Sequence, residues 1–169
     1  VVSLTSQQLV REIDLDTNGR AITDIFASLG KVYAVNQIDF FSPYSVVSTY
    51  DIATANLQHD RVDLPAAAGI GIFHTNKLYA GFGAGIGGWD LNTQTLTDTN
   101  IVVGQFAAID YNEVHQRFYG TKTDYFTYGK LYEFNASGVM LDSIDVGISP
   151  EAIAVDYYAV VAETPSKEV

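Results

Sequence analysis

Lys31-Val32-Tyr33-Ala34 is a short β-prone run that returns twice along the chain, as Lys77-Leu78-Tyr79-Ala80 and as Arg117-Phe118-Tyr119-Gly120. Each copy begins with a basic residue and carries a tyrosine at its third position, and the tyrosines are 46 and 40 residues apart. A run of small and apolar residues precedes each copy. Near-continuous apolar runs of this length are typical of strands buried inside a sheet that is packed on both faces.

A second motif keeps step with the first and joins an acid to a polar turn. Its four copies begin at Ile13-Asp14, Tyr50-Asp51, Trp89-Asp90 and Tyr132-Glu133, so that the acids lie 37, 39 and 43 residues apart. No 3.6-residue apolar stripe accompanies them, and turn-forming residues recur roughly every 8–12 residues. Four strands in each unit of about 40–45 residues is the period of a β-propeller blade.

The two motifs therefore predict an all-β fold, a β-propeller of four-stranded antiparallel blades whose strands we label a to d from the inside outward. A β-sandwich is the alternative, but it does not explain why both motifs recur in phase. Residues 1–162 hold about four blades' worth of sequence, and 163–169 are expected to be a tail or linker. The predicted units are a partial one at 1–20, complete ones at 21–65, 66–105 and 106–150, and a partial one at 151–162.

The two partial units raise the question of how the ring closes. At the start, residues 1–4 are predicted as strand b and 9–15 as strand c, whereas at the end 152–157 are predicted as strand a and 159–162 as strand b. Both ends would then supply strand b. The pattern favours an arc of a larger ring, completed by further sequence or by another chain, over a closed ring of four blades.

The repeat resembles a known group of proteins. Val32-Tyr33-Ala34-Val35-Asn36 is similar to the YVTN signature of the YVTN-repeat β-propellers, and the pieces at Tyr50–Thr54 and Trp89–Thr93 resemble the later part of that repeat. The resemblance extends over most of residues 1–162, although the later copies keep only the aromatic residue. It implies a secreted, periplasmic or cell-surface protein on a scaffold shared by surface-layer and binding proteins, and similar to that of lactonase-type propellers. It does not imply a particular reaction.

Charge and composition exclude several classes of function. Nine Lys and Arg against 20 Asp and Glu give a formal net charge of −11 without any basic cluster, so an unaided nucleic-acid binder is excluded. The longest apolar run, residues 64–73, is too short and too interrupted for membrane insertion. Cysteine is absent, which removes disulfides, thiolate metal sites and cysteine nucleophiles.

Three motifs suggest ligands but favour structural interpretations. The run 14–19 matches the opening of a calcium loop, yet Ile25 stands where the closing bidentate Glu belongs, so a c–d hairpin turn is the preferred interpretation. The glycine-rich run 83–88 contains G-x-G-x-x-G, but a strand and not a helix follows, so we expect a b–c loop. The histidines, His59, His74 and His115, lie in different blades. No catalytic residue, metal site or cofactor is predicted, and Asn135-Ala136-Ser137 is read as a turn that is also a glycosylation sequon.

The strongest sign of function lies in two predicted b–c loops that cluster aromatic residues. They are Asp39-Phe40-Phe41-Ser42-Pro43-Tyr44 and Asp124-Tyr125-Phe126-Thr127-Tyr128. Loops seldom cluster aromatic side chains, because exposed apolar area lowers solubility, whereas flat rings at a loop tip can stack on a sugar or a protein. The alternative is that the rings fold down over their own blades. The candidate binding residues are Asp39, Phe40, Phe41, Tyr44, Asp124, Tyr125, Phe126 and Tyr128.

Together these features predict a non-catalytic binding or assembly module, extracellular or at the cell surface, that recognises a glycan or a protein through its aromatic b–c loops. The expected partners also include another chain that completes the ring, or further copies of this chain in a homo-oligomer. The alternative is a lactonase-like hydrolase with its site in the central channel. The predicted a strands are mostly small and apolar, which favours binding over catalysis.

Overall fold

The computed structural model describes residues 3, 5–39, 41–65, 72–74 and 76–155. Within these residues the chain forms twelve β-strands and a single turn of 3₁₀ helix at Asp16–Asn18. The strands are β1 Ile22–Ser28, β2 Lys31–Asn36, β3 Ser45–Asp51, β4 Leu57–Val62, β5 Ile72–His74, β6 Lys77–Phe82, β7 Gly85–Asp90, β8 Thr95–Val103, β9 Ala108–Asn112, β10 Arg117–Lys122, β11 Tyr128–Asn135 and β12 Met140–Ile148.

The strands form three antiparallel sheets of four, each a simple meander in chain order. Sheet 1 contains β1 to β4, sheet 2 contains β5 to β8, and sheet 3 contains β9 to β12. The innermost strand β5 lies close to β1 on one side and to β9 on the other, so that the first strands of consecutive sheets are neighbours. This is the arrangement of propeller blades around an axis. The chain is thus an all-β protein with the architecture of a partial β-propeller.

The hydrophobic core lies between consecutive sheets and not within any one of them. Tyr33 and Val47 of sheet 1 pack with Leu78 and Trp89 of sheet 2 in one buried cluster. A second cluster joins Ile86 and Val102 of sheet 2 to aromatic residues of sheet 3. Because each strand alternates its side chains between two faces, a sheet packed on both sides needs apolar residues on both, which explains the near-continuous apolar runs.

The repeated tyrosines occupy equivalent places, as the motif predicted. Tyr33, Tyr79 and Tyr119 are each the third residue of the second strand of their sheets, β2, β6 and β10. Burial raises the pKa of all three phenols above the ordinary value. The tyrosine is therefore a packing residue at the centre of each blade.

The repeat assignment of Glu133 was wrong by two residues. Lys31 pairs with Asp51 and Lys77 pairs with Asp90, but Arg117 pairs with Asn135 and not with Glu133. Asn135 also forms the turn, since its side-chain oxygen accepts the main-chain N–H groups of Ser137 and Val139. An Asn serves an Asx turn as well as an Asp does, and a search for acids alone missed it.

The strands predicted at the two ends are not formed where they can be observed. Residues 9–15 contain only an isolated bridge at Leu9, and residues 152–155 are in no strand. The latter segment is instead held by a hydrogen bond from the main-chain N–H of Val155 to the Asp110 carboxylate (2.9 Å), and just before it Thr121 Oγ1 donates to the Pro150 carbonyl (2.6 Å). The strand predicted at residues 1–4 is described only at Ser3, and 156–169 lie outside the described residues. Among the described residues, no helix is long and apolar enough to cross a membrane.

Candidate functional site

The two aromatic loops are built on the same turn. In the first loop Asp39 Oδ1 accepts the main-chain N–H of Phe41 (2.9 Å), and in the second Asp124 Oδ1 accepts the main-chain N–H of Phe126 (2.9 Å). Asp124 also binds the N–H (2.8 Å) and the hydroxyl (2.9 Å) of Thr127. These hydrogen bonds favour the charged carboxylate, and they lower the pKa of Asp124 below its ordinary value. Each aspartate therefore fixes the backbone that carries a phenylalanine two residues later.

The phenylalanines project into solvent. Phe41 is 90% exposed and Phe126 is 86% exposed, and Tyr125 and Tyr128 in the second loop are also exposed. In the first loop Tyr44 behaves differently, because its half-buried ring lies under the guanidinium of Arg61, with 4.1 Å between the guanidinium carbon and the ring centroid. Phe40 lies outside the described residues. Of the eight candidate residues, Phe41, Tyr125, Phe126 and Tyr128 thus present aromatic surface, while Asp39, Asp124 and Tyr44 support the loops.

The b–c loops lie beside the segments that connect consecutive sheets, at one edge of the group of three sheets. The N–H of Gly83, in the b–c turn of sheet 2, donates to the carbonyl of Pro65 (2.7 Å), and the N–H of Gly104 donates to the carbonyl of Ala84 (2.8 Å). At sheet 3 the hydrogen bond from Thr121 to Pro150 repeats this relation. The two aromatic loops therefore lie on the same side of the assembly, with the short Gly83-Ala84 turn in blade order between them.

The glycine-rich run 83–88 is mostly strand, which corrects its prediction as a loop. Only Gly83 and Ala84 form the turn, and β7 begins at Gly85. A Cβ at Gly85 would lie 2.3 Å from the carbonyl oxygen of Val102, and one at Gly87 would lie 2.8 Å from that of Asp98. Gly85 and Gly87 are required because the backbones of β7 and β8 approach closely there.

The carboxylates of the run 14–19 accept hydrogen bonds from main-chain N–H groups of the same run. Asp14 Oδ1 accepts the N–H of Asp16 (2.8 Å), and Asp16 Oδ1 accepts the N–H of Asn18 (2.7 Å), which lowers the pKa of Asp16. The predicted c–d hairpin is replaced by the 3₁₀ turn, because residues 5–15 form no β-strand that could pair across it. Among the residues that the structure describes, no group of three or more His, Cys, Asp or Glu could hold a metal ion.

The structure also brings together a row of interacting polar side chains that the sequence did not indicate. Asn36 Nδ2 donates to Ser48 Oγ (2.7 Å), Ser48 Oγ lies 2.8 Å from His59 Nδ1, and His59 Nε2 lies 3.5 Å from Asp16 Oδ2. These residues come from β2, β3, β4 and the 3₁₀ turn. Ser48 and Asp16 line a cavity of about 720 Å³ between the segment 12–19 and sheet 1. Only the cross-strand pairing of Ser48 with Ala34 and with His59 could have revealed this row.

Ser48, the serine in this row, is not placed as a nucleophile. Ser48 is buried and its Oγ is already engaged by both Asn36 and His59, while the Asp16 carboxylate stands beyond hydrogen-bond distance of the ring. His59 therefore belongs to this buried row, although the sequence places it alone in its blade. His115 does lie in a turn, where its N–H donates to Asn112 Oδ1. The side chain of His74 lies outside the described residues.

Comparison with known proteins supplies few constraints. No protein-family model matches the chain, and no curated protein matches it. Among solved structures, the chain is similar to the β-propeller domain of the Trilobed protease from Pyrococcus furiosus, a domain with an open velcro topology. The identity is 10% and the TM-score 0.45 over 74% of this chain, which spans 42% of that one. The β-propeller class of this chain rests on its own sheet topology and on the packing between its sheets.

Proposed function

We propose that this chain is a non-catalytic binding module on a β-propeller scaffold, and that its two aromatic b–c loops contact a macromolecular partner. The observation that carries the proposal is the repeated construction of the loops. In both, an aspartate closes an Asx turn and a phenylalanine two residues on is at least 86% exposed. Exposing two phenylalanines in water is unfavourable, and rigid turns reduce the entropy lost when such rings bind.

A protein is the favoured partner, and a glycan is the alternative. Phenylalanine has no hydrogen-bonding group, and an aromatic anchor that enters an apolar pocket is the usual form of a protein–protein hot spot. The hydroxyls of Tyr125 and Tyr128 would suit a sugar better, since they can both stack and hydrogen-bond. A location outside the cell or at its surface remains part of the proposal and is supported by the resemblance of the repeats alone.

The innermost strands favour binding over catalysis. Asp24 in β1 and Asp110 in β9 are acids of the first strands of their sheets, and each carboxylate accepts the main-chain N–H of the following residue at 2.7 Å. Asp110 also accepts the N–H of Val155. These carboxylates act as backbone acceptors, so the lactonase-like alternative has less support than binding does.

The proposal is tested by replacing Phe41 and Phe126 with alanine, singly and together. The single variants should weaken binding by about 1–3 kcal/mol, roughly five- to 150-fold, with little change in melting temperature. Leu29→Ala is a matched control, because Leu29 is also an exposed apolar residue, at 71%, but lies in the a–b turn at the opposite edge of sheet 1.

Two probes separate the partner classes. Electrophoresis through gels that contain soluble mannan, xylan or β-glucan measures glycan binding. Photocrosslinking from benzoylphenylalanine at position 41 or 126, in the protein's native extract, captures a protein partner. Crosslinks or gel retardation that depend on both phenylalanines would support the proposal. If position 29 crosslinks as strongly as 41 and 126, and no gel retards the wild type more than the double variant, the loops are not the recognition surface.

A further inference from the structure

The segment 11–19 covers the face of sheet 1 that points away from sheet 2. Sheet 1 packs on sheet 2 through Tyr33. Because side chains alternate along a strand, Ala34 in β2 and its cross-strand partner Ser48 in β3 point to the opposite face. Both are buried, and together with the segment they line the cavity of about 720 Å³. The segment is therefore a cover over this face, with space left beneath it.

Two side-chain contacts join this segment to sheet 1 at different points. Near its start, the guanidinium of Arg11 donates to the hydroxyl of Tyr50 and lies over the ring, 5.9 Å from the centroid. Near its end, the Asp16 carboxylate lies 3.5 Å from Nε2 of His59. The stretch between these two contacts lines the cavity, so the segment is attached at two places with open space beneath the residues between them.

The imidazole of His59 is fixed on its Nδ1 side and unpaired on its Nε2 side. Nδ1 lies 2.8 Å from Ser48 Oγ, which also accepts an N–H of Asn36 (2.7 Å). A hydroxyl both donates and accepts, so Ser48 suits Nδ1 whether the imidazole is neutral or protonated. Nε2 is buried and has no hydrogen-bond partner among the described residues, and it faces the Asp16 carboxylate. Protonation of His59 therefore adds a positive charge opposite the segment without disturbing the row beneath it.

The charges around His59 differ in how they respond to pH. The charged groups on this side of sheet 1 are the carboxylates of Glu12, Asp14 and Asp16 and the guanidiniums of Arg11 and Arg61. The guanidinium of Arg61 is paired with the Asp63 carboxylate (2.7 Å). A main-chain N–H of Asn18 lowers the pKa of Asp16 most, and the imidazole of His59 lowers it further. Carboxylates, phenols and guanidiniums keep their protonation state between about pH 5 and 8, whereas an imidazole changes its own.

We propose that His59 is a pH-dependent latch for the segment 11–19. Protonated His59 attracts the Asp16 carboxylate and holds the segment against sheet 1, and deprotonation lets the Asp16 end lift and open the cavity. Proton binding favours the closed arrangement, so this stabilisation is present at acid pH and is lost as the pH rises through the titration of His59. The contact between Arg11 and Tyr50 does not titrate in this range and acts as the hinge. Neither aromatic loop takes part, so the latch goes beyond the proposed function.

The lack of cysteine in the chain permits a direct measurement of opening. Ala34→Cys places a single thiol on the wall of the cavity, where Ala34 is 4% exposed, and Val32→Cys is a second reporter on the same wall. The rate of reaction with 4,4′-dithiodipyridine is measured between about pH 5 and 8. Dividing this rate by that of the same variant unfolded in urea at the same pH removes the pH dependence of the thiol itself. This relative reactivity reports how often the segment opens.

We expect the relative reactivity of the Ala34→Cys thiol to be about two- to fivefold higher at pH 8 than at pH 5.5, the range of a partly exposed ion pair. His59→Gln or Asp16→Asn, added to this reporter, should abolish the difference, because each removes one charge of the pair. His115→Gln is the matched control, since His115 lies in a turn of sheet 3, and it should leave the difference unchanged. A thiol at Ala108→Cys, a fully buried position, should stay unreactive at both pH values and so exclude unfolding of the whole chain.

Three results would overturn the proposal. One is a relative reactivity at both reporters that is the same at pH 5.5 and pH 8. Another is a pH difference that either His59→Gln or Asp16→Asn leaves in place. The third is a pH difference shared by the Ala108→Cys thiol, which would mean that the fold as a whole loosens. Phe41→Ala and Phe126→Ala should not alter the pH difference, so failure of the latch is distinguishable from failure of the proposed function.

Discussion

Phe126→Ala and Phe118→Ala remove the same ring from opposite environments, and their stabilities test the description of the aromatic loops. Phe126 is 86% exposed at a loop tip, so its burial removes only about 30 Å² from water and, at about 25 cal/mol per Å², contributes less than about 1 kcal/mol. Phe118 is 2% exposed and its ring centroid lies 4.6 Å from that of Tyr111. Its truncation leaves a cavity between two sheets and should cost about 3–5 kcal/mol.

The assay is thermal and urea denaturation of both variants beside the wild type. For a chain of this size each kcal/mol shifts the melting temperature by about 2–4 °C, so Phe118→Ala should lower it by roughly 6–20 °C and Phe126→Ala by no more than a few degrees. A loss above about 2 kcal/mol for Phe126→Ala would mean that its ring packs on its own blade. The recognition proposal would then lose the observation that carries it.

The remaining predictions concern turns, acid and ions. Gly138→Ala should destabilise the fold by about 1–3 kcal/mol more than Gly30→Ala in urea denaturation. Both glycines have positive φ, but only at Gly138 would a Cβ lie 1.7 Å from the carbonyl oxygen of Ile101. Equal losses of stability in the two variants would contradict this close approach. Hydrogen bonds from main-chain N–H groups lower the pKa of Asp90. The stabilising contribution of its carboxylate is therefore present above about pH 4 and is lost as the pH falls through the pKa of Asp90 in the folded state. Asp90→Ala should flatten the acid limb of a curve of stability against pH. EDTA should leave the melting temperature unchanged because the carboxylates of the run 14–19 accept its own N–H groups, and a drop that Ca²⁺ restores would show that the run binds calcium.

Strand positions and turn chemistry could be predicted from the sequence because both are local. The apolar runs, the tyrosine motif and the Asx turns located the four strands of each sheet and their meander order. The aromatic b–c loops could be located for the same reason, since the loop and its aspartate are adjacent in sequence. How far the rings of Phe41 and Phe126 stand from the surface could not be read from those residues.

Register between strands was decided only by the tertiary structure. Asp24 and Asp110 both stand nine residues before a tyrosine, yet Asp24 pairs with Val35 while Asp110 pairs with Tyr119. The turn between β1 and β2 has two residues and the turn between β9 and β10 has four, so the residue opposite the aspartate lies two positions beyond the tyrosine in sheet 1 and is the tyrosine itself in sheet 3. Equal sequence spacing therefore does not mean an equal place in the sheet.

The repeat alone determined that this chain makes blades, because side-chain alternation and turn-forming residues act within a few positions of one another. The row of Asn36, Ser48, His59 and Asp16, and the contrast between buried Ile109 and exposed Ile25, depend on which face of a sheet meets another sheet. That is set by packing between strands far apart in the chain. Identical motifs can therefore lie in a buried contact between sheets in one blade and beside a cavity in another, and only the assembled sheets distinguish the two.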